Sequence, residues 1–268
     1  MHSTRNRTRN QGATMSTAWI DIEADAFGVS KVHEYVIQTG EYRFSYESRL
    51  DFCIKDLEKL LERLQGFAPQ HDLMICLGHS TNFRYGVYPR YKSNRRGLRR
   101  AACYDSLRKW LQANYSNCVL KGVEADDVVG VMYQPGDLIY SPDKDLRTIA
   151  GDHLLVDGTI MTVPQLEADR AFFKQVMTGD SSDGYGGIPN VGGSHKMFAS
   201  EEWLTCKTEQ QFWTFVEMQY HRNAAKIREK YAEDATRMAL VMARCARILR
   251  RGEYDFDNEK PVLWEGPS

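Results

Sequence analysis

Closely spaced cysteines are missing from this sequence. Its six cysteines, Cys53, Cys76, Cys103, Cys118, Cys206 and Cys245, are scattered through 268 residues with no C-x-x-C pair. That spacing speaks against a structural zinc site and against a disulfide frame, and reduced thiols in a cytoplasmic protein are expected. A long apolar run is missing too, so no membrane-spanning helix is expected, and no secretory leader is visible. Charge of one sign is not in excess. Lys and Arg number 35 against 36 Asp and Glu, a formal net charge of −1, so any attraction for a polyanion must come from local patches. Internal repeats are absent. The hydrophobic content of 42% suffices for a core, which leaves one large domain or a domain with a helical appendage.

Local acidity is abundant. Within Gly122–Met132 the carboxylates Glu124, Asp126 and Asp127 precede Val128, Val131 and Met132. The i, i+3, i+4 spacing of these apolar residues predicts a helix with three acids in its first turn. Acids there favour the helix dipole and need no other reason. More follow, however. The apolar run Leu138–Tyr140 reads as a strand and is followed by Asp143 and Asp145. Thr17–Ile20 reads as a buried strand ending in Asp21, with Glu23 and Asp25 just beyond. Asp180 and Asp183 stand three apart after a helical pattern over Ala168–Met177. Carboxyl ends of parallel strands are where α/β sheets place ligands. Acids crowded there repel unless cations bind them. Oxygen-only donors point to Mg²⁺ or Mn²⁺ rather than zinc.

Strands alternate with helices along the rest of the chain, which predicts an α/β fold with a mostly parallel sheet. A helical face carries Leu57, Leu60, Leu61 and Leu64. Leu73–Leu77 reads as a second buried strand, and His79 stands alone just after it. From Arg84 to Arg100 lie Arg84, Arg90, Lys92, Arg95, Arg96, Arg99 and Arg100, interleaved with Tyr85, Tyr88 and Tyr91 and without a single acid. Basic side chains pair with phosphates and aromatic rings stack on bases, so nucleic-acid contact is expected here. Leu154–Val156 and Thr159–Thr162 around Asp157-Gly158 read as a hairpin. The run Gly184–Lys196, with Gly187, Gly192, Gly193 and Ser194, leaves backbone N–H groups uncovered ahead of a helix start, a natural phosphate seat. Helical patterns continue to about Arg251. These signals divide the chain into a disordered tail (1–16), an α/β core (17–177) carrying the basic stretch (about 84–100), a helical region (178–251) and a C-terminal tail (252–268). Tyr254, Phe256 and Trp264 are expected to pack the last of these on the body.

Four of these stretches, in this order, resemble the 5′-nuclease superfamily of flap endonucleases and 5′-3′ exonucleases. Tyr91-Lys92-Ser93-Asn94-Arg95 is similar to its Y-K-x-N-R segment, Gly122–Asp127 to its G-x-E-A-D-D motif, and Ser141–Asp145 to its S-x-D-x-D strand end. Gly179–Gly193 is similar to its G-D-x-x-D-x-x-x-G-I-P-x-x-G element. The likeness is greatest to the phage T7-type exonucleases, through Gly179–Tyr185 and the ending Ala246–Leu249, Glu253-Tyr254 and Leu263-Trp264. It extends from Thr17 to Trp264.

The resemblance implies a PIN-like nuclease core, a helical arch and a helix–loop–helix that grips duplex DNA. It implies two or more Mg²⁺ or Mn²⁺ ions on Asp21, Glu124, Asp126, Asp127, Asp143, Asp145, Asp180 and Asp183. It also implies catalytic contacts to the scissile phosphate from Lys92, Arg95 and Arg84. DNA contacts are implied for Arg90, Arg96, Arg99, Arg100, Gly187, Gly192, Gly193, Ser194 and Lys196, with a K⁺ ion on the carbonyls of the helix–loop–helix turn. The implied substrates are duplex DNA with 5′ ends or flaps and RNA–DNA hybrids. The implied partners are replication proteins, and the implied place is the host cytoplasm of a phage. One departure stands out: His79 occupies the position where the family has an Asp. It leaves a second reading open, a structure-specific DNA-binding protein whose catalysis has weakened. A related PIN-like ribonuclease would lack the Gly179–Lys196 element.

Overall fold

A computed structural model describes residues 16–267, so the expected disordered tail lies almost wholly outside the described residues. The strands are β1 (Ser16–Asp21), β2 (Glu34–Gly40), β3 (Arg43–Ser48), β4 (His71–Cys76), β5 (Asn117–Cys118), β6 (Leu138–Tyr140), β7 (Gly151–Leu154), β8 (Ile160–Val163), β9 (Tyr254–Asp255) and β10 (Lys260–Pro261). The helices are α1 (Glu23–Val32), α2 (Leu50–Phe67), α3 (Arg84–Val87), α4 (Tyr104–Asn114), α5 (Ala125–Met132), α6 (Gln165–Thr178), α7 (Glu201–Leu204), α8 (Glu209–Arg222), α9 (Ala224–Tyr231) and α10 (Ala235–Ala246).

Six strands form the central sheet in the order β5-β4-β1-β6-β7-β8. All pairs are parallel except the β7–β8 hairpin at one edge. The fold is therefore α/β with a mostly parallel sheet flanked by helices, as the alternation of strands and helices predicts. The chain leaves β1 toward β4 on one side and returns to β6 on the other. Such a reversal opens a crevice at the carboxyl ends of the strands.

Alternation along β1 sorts its side chains onto two faces. Ala18 and Ile20 pack with Leu57, Leu61 and Leu107 of α2 and α4. Trp19 packs with Val128 and Val131 of α5 on the opposite face. Asp21 shares the parity of Trp19 and so belongs to the α5 side. A third apolar cluster is helical, with Phe172 and Phe173 of α6 against Phe212, Val216 and Met242 of α8 and α10.

Several local features differ from the sequence expectation. Residues 34–48 form an exposed antiparallel hairpin, β2–β3, that no pattern announced. The basic stretch 84–100 is the four-residue α3, a 3₁₀ turn at Ser93–Arg95 and irregular chain, not a helical arch. The glycine-rich run leads only into a 3₁₀ turn at Lys196–Ala199. The His195 ring nitrogen already accepts a bond from Met197 N (3.2 Å) at its start, so no open helix N-terminus is offered to a phosphate. In the C-terminal tail Tyr254 and Trp264 are buried, whereas Phe256 is exposed.

Candidate active site

Acids gather along the carboxyl edge of the sheet. Asp21 ends β1 and accepts a bond from Ser141 Oγ (2.9 Å), just past β6. Asp143 is exposed and caps the following 3₁₀ turn through Asp145 N (2.9 Å). Asp145 accepts from Gln175 Nε2 of α6 (2.8 Å) and neighbours Asp180. Burial pushes Asp21 up to about 7, with Glu23 and Asp143 adding repulsion. Burial and neighbouring Asp143 raise Asp145 to about 6. Asp126 is pushed well above the carboxylate range by burial, then by Asp127 and Glu124. Asp180 is also disfavoured by burial, but bonds from Ser182 hold it below its usual value.

The remaining acids have protein cations as partners. Asp127 is fully buried. Arg84 grips it with two bonds, Nη1 to Oδ2 (2.6 Å) and Nη2 to Oδ1 (2.7 Å). The same oxygens accept Glu124 N (3.1 Å) and Leu249 N (3.0 Å). Arg84 spends its other donors on the carbonyls of Cys245 (3.0 Å) and Arg247 (2.6 Å). The sequence expectation is corrected for both residues. Arg84 is 1% exposed and turned into the protein, and the oxygens of Asp127 are saturated, so the pair locks α5 to the chain after α10.

Glu124 is paired with Lys92 Nζ. Burial alone would raise it, but Lys92 and Arg84 hold it down to about 2. Asp183 is paired with Arg95 Nη2 (2.8 Å) and lies 3.5 Å from Lys92 Nζ. Among the described residues, no group of three or more His, Cys, Asp and Glu side chains is already drawn together around a cation-sized space.

Carboxylate chemistry nevertheless fits a divalent ion. Burial, with neighbouring acids adding to it, raises the pKa values of Asp21, Asp126 and Asp145, and a hard cation supplies the charge that offsets both. Glu124 and Asp183 fit once Lys92 and Arg95 release them.

His79 does not compete for such an ion through Nδ1, which accepts a bond from Thr81 N (3.1 Å). Among the expected DNA contacts, Arg99 is engaged by Glu34 (2.7 Å) and lies 3.6 Å from the Tyr46 ring, fastening the hairpin. Arg100 pairs with Asp105 (3.2 Å), and Arg90 and Arg96 are exposed. Gly187 is buried with its carbonyl on Tyr231 OH (2.7 Å), and its Cα faces the Met177 carbonyl too closely for any Cβ. Its glycine is thus an internal requirement. Gly192, Gly193, Ser194 and Lys196 are exposed, beside a groove of about 460 Å³ lined by Asn190, His195, Lys196, Arg222 and Lys226. Of the interleaved tyrosines Tyr85 is exposed (46%), but Tyr91 is 2% exposed and has no face for a base. Sequence reasoning missed Ser141 and Gln175 as supports. Ser141 was visible within the S-x-D-x-D element, whereas Gln175 had no local signal.

Residues 47–177 match the sequence profile of the 5′-3′ exonuclease, N-terminal resolvase-like domain. The chain is 26% identical to the exodeoxyribonuclease of Enterobacteria phage T3 over 225 residues, covering 72% of each chain. It is 27% identical to the exonuclease of Escherichia phage T7 over 219 residues, covering 72% of this chain and 73% of the relative. These matches bear out the resemblance to the 5′-nuclease superfamily. Its fold is similar to that of the T5 5′-exonuclease, solved with divalent metal ions (zinc) bound, at a TM-score of 0.54 and 13% identity over 86% of this chain and 93% of the other. At that identity the likeness is one of fold. In this chain the acids lie where the sheet reversal opens its crevice, and the basic segment 91–95 pairs with two of them, Glu124 and Asp183.

Proposed function

We propose that this protein is a divalent-metal-dependent 5′-3′ exonuclease and flap endonuclease of phage replication and recombination. It hydrolyses phosphodiester bonds of duplex DNA from 5′ ends, and of RNA primers in RNA–DNA hybrids, in the host cytoplasm among replication proteins. The observation that carries the reading is that acids after β1 and β6, in the first turn of α5 and in the 180–183 loop neighbour one another along the carboxyl edge of the sheet, with Glu124 and Asp183 paired to Lys92 and Arg95. The names of the T3 and T7 relatives and the divalent ions of the T5 structure support it.

Asp21, Asp126, Asp143, Asp145 and Asp180 would hold two or more Mg²⁺ or Mn²⁺ ions, joined by Glu124 and Asp183. When bound, the ions supply Lewis acidity at the phosphate and an acidified water. The chain's own groups do the rest. Ser141 and Gln175 keep Asp21 and Asp145 oriented. Lys92 and Arg95 exchange their carboxylates for phosphate oxygens and polarise the scissile phosphate. Gly192, Gly193, Ser194 and Lys196, with Arg222 and Lys226 across the groove, hold duplex backbone, and a K⁺ ion belongs on the turn's carbonyls.

The ion-paired state of Glu124 and Asp183 favours one other reading, duplex binding without turnover. Cleavage of a 5′-labelled duplex and a 5′-flap with Mg²⁺, then Mn²⁺, beside Asp143→Ala decides between them. Release of short products from the 5′ end, lost in the variant, is expected. Tight binding without cleavage in either metal would overturn the nuclease reading.

A further inference from the structure

The segment Tyr91–Arg95 does more than supply cations. Lys92 N donates to Asp183 O (2.6 Å). Asn94 Nδ2 donates to Ser181 O (2.9 Å) and Ser182 O (3.2 Å), and Arg95 Nε to Ser182 O (3.0 Å). Lys92 has a left-handed backbone, φ 50°, which turns the chain so that successive side chains reach the same acids. The basic segment and the 181–183 loop, about 90 residues apart in sequence, are therefore latched as one unit.

At the centre of the latch is Tyr91. Its ring is stacked on Tyr185 (centroids 6.1 Å apart, planes at 20°) and buried, so its hydroxyl has little freedom. That hydroxyl lies 2.7 Å from Glu124 Oε2 and 2.7 Å from Asp183 Oδ2. A buried tyrosine needs one acceptor for its single proton. Here two carboxylates from unrelated elements, the N-cap of α5 and the glycine-rich loop, share it, and their oxygens are at most twice that distance apart. A shared donor and the adjacent Lys92 ammonium draw together two like charges that would otherwise separate.

We infer that Tyr91 and Asn94 are positioning residues of the candidate active site. The Tyr91 hydroxyl sets the spacing of Glu124 and Asp183, and the Asn94 amide holds the loop that carries Asp183. The inference rests on the proposed metal site, and its test separates the two. Mn²⁺ binding to the DNA-free protein is followed by electron paramagnetic resonance for wild type, Tyr91→Phe, Asn94→Ala and Glu124→Gln, with melting temperatures and steady-state cleavage alongside.

Tyr91→Phe keeps the stack on Tyr185, so its melting temperature falls by only about 2–4 °C. Mn²⁺ affinity falls about tenfold, as for other groups that orient metal ligands, and kcat falls while KM for DNA is unchanged. Asn94→Ala behaves alike. Wild-type affinity in both variants, with Glu124→Gln weakened, overturns the inference and spares the site. A rise in KM alone makes Tyr91 a DNA contact and also overturns it. Unchanged affinity in Glu124→Gln removes the carboxylate from the metal and takes the inference down with the reading beneath it.

Discussion

Asp127→Asn separates a structural counter-ion from a metal ligand. Arg84 is 1% exposed, and four of its five bonds to protein oxygens are 3.0 Å or shorter. Asparagine preserves the shape at position 127 but removes the charge, and turns an N–H toward a guanidinium that cannot lose its proton. Breaking a buried ion pair by removing one partner costs about 3–5 kcal/mol. For a chain of this size each kcal/mol moves the melting temperature by about 2–4 °C, so a fall of about 6–20 °C is expected in metal-free buffer. Asp126→Asn is the counterpart. Its carboxylate is raised by burial and by the acids beside it, so neutralising it leaves metal-free stability unchanged or higher while Mn²⁺ affinity drops. Thermal melts and Mn²⁺ titrations of both variants read this out. Loss of Mn²⁺ affinity in Asp127→Asn with a melting temperature within about 3 °C of wild type would refute the reasoning and return Asp127 to the metal.

Metal-free stability should fall as pH rises from about 4 to about 7. Asp21 at about 7 and Asp25 and Asp145 at about 6 bind protons in the folded state that the unfolded chain has already released. Melts at pH 5 and pH 8 test this, and millimolar Mg²⁺ should flatten the slope. Glu124, held at about 2, contributes in the opposite sense, and its share is lost only as pH falls from about 4 toward 2. Gly187→Ala should destabilise by about 1–3 kcal/mol in urea, because the Met177 carbonyl occupies the space of a Cβ. Gly192→Ala, with open space around it, should stay within about 0.5 kcal/mol. His79→Asn should leave Mn²⁺ affinity within about twofold, since Asn keeps the local turn bond to Thr81; a tenfold loss would put the imidazole on the metal. Lys92→Met should tighten Mn²⁺ binding to DNA-free protein by freeing Glu124, while cleavage falls; weaker Mn²⁺ binding would show that Lys92 does not compete for that carboxylate.

Much of the sheet was legible because its strands are short apolar runs ended by acids. Trp19 and Ile20 before Asp21, and Ile139 and Tyr140 before Asp143, mark both the strand and the site beyond it. The β2–β3 hairpin was not legible. Tyr35, Val36, Ile37, Phe44 and Tyr46 are all more than a third exposed, so burial imposes no one-sided pattern there, and Glu34 is fixed by Arg99 from far along the chain. The candidate ligands were readable by type, because carboxylates in first turns and at strand ends are local features. Their partners were not.

By itself the sequence determined the elements and the acids that end them, since helix and strand periodicity and turn chemistry act over a few residues. The run 84–100 contains no acid and by local reading is a free basic surface. Folding brings Glu34, Asp105, Glu124, Asp127 and Asp183 against it. Which cations remain for a phosphate, and which carboxylates for a metal, was thus decided only by tertiary structure. Charge pairs form by distance in space, and burial of Arg84 and Asp127 makes their pairing obligatory once packing has brought them together.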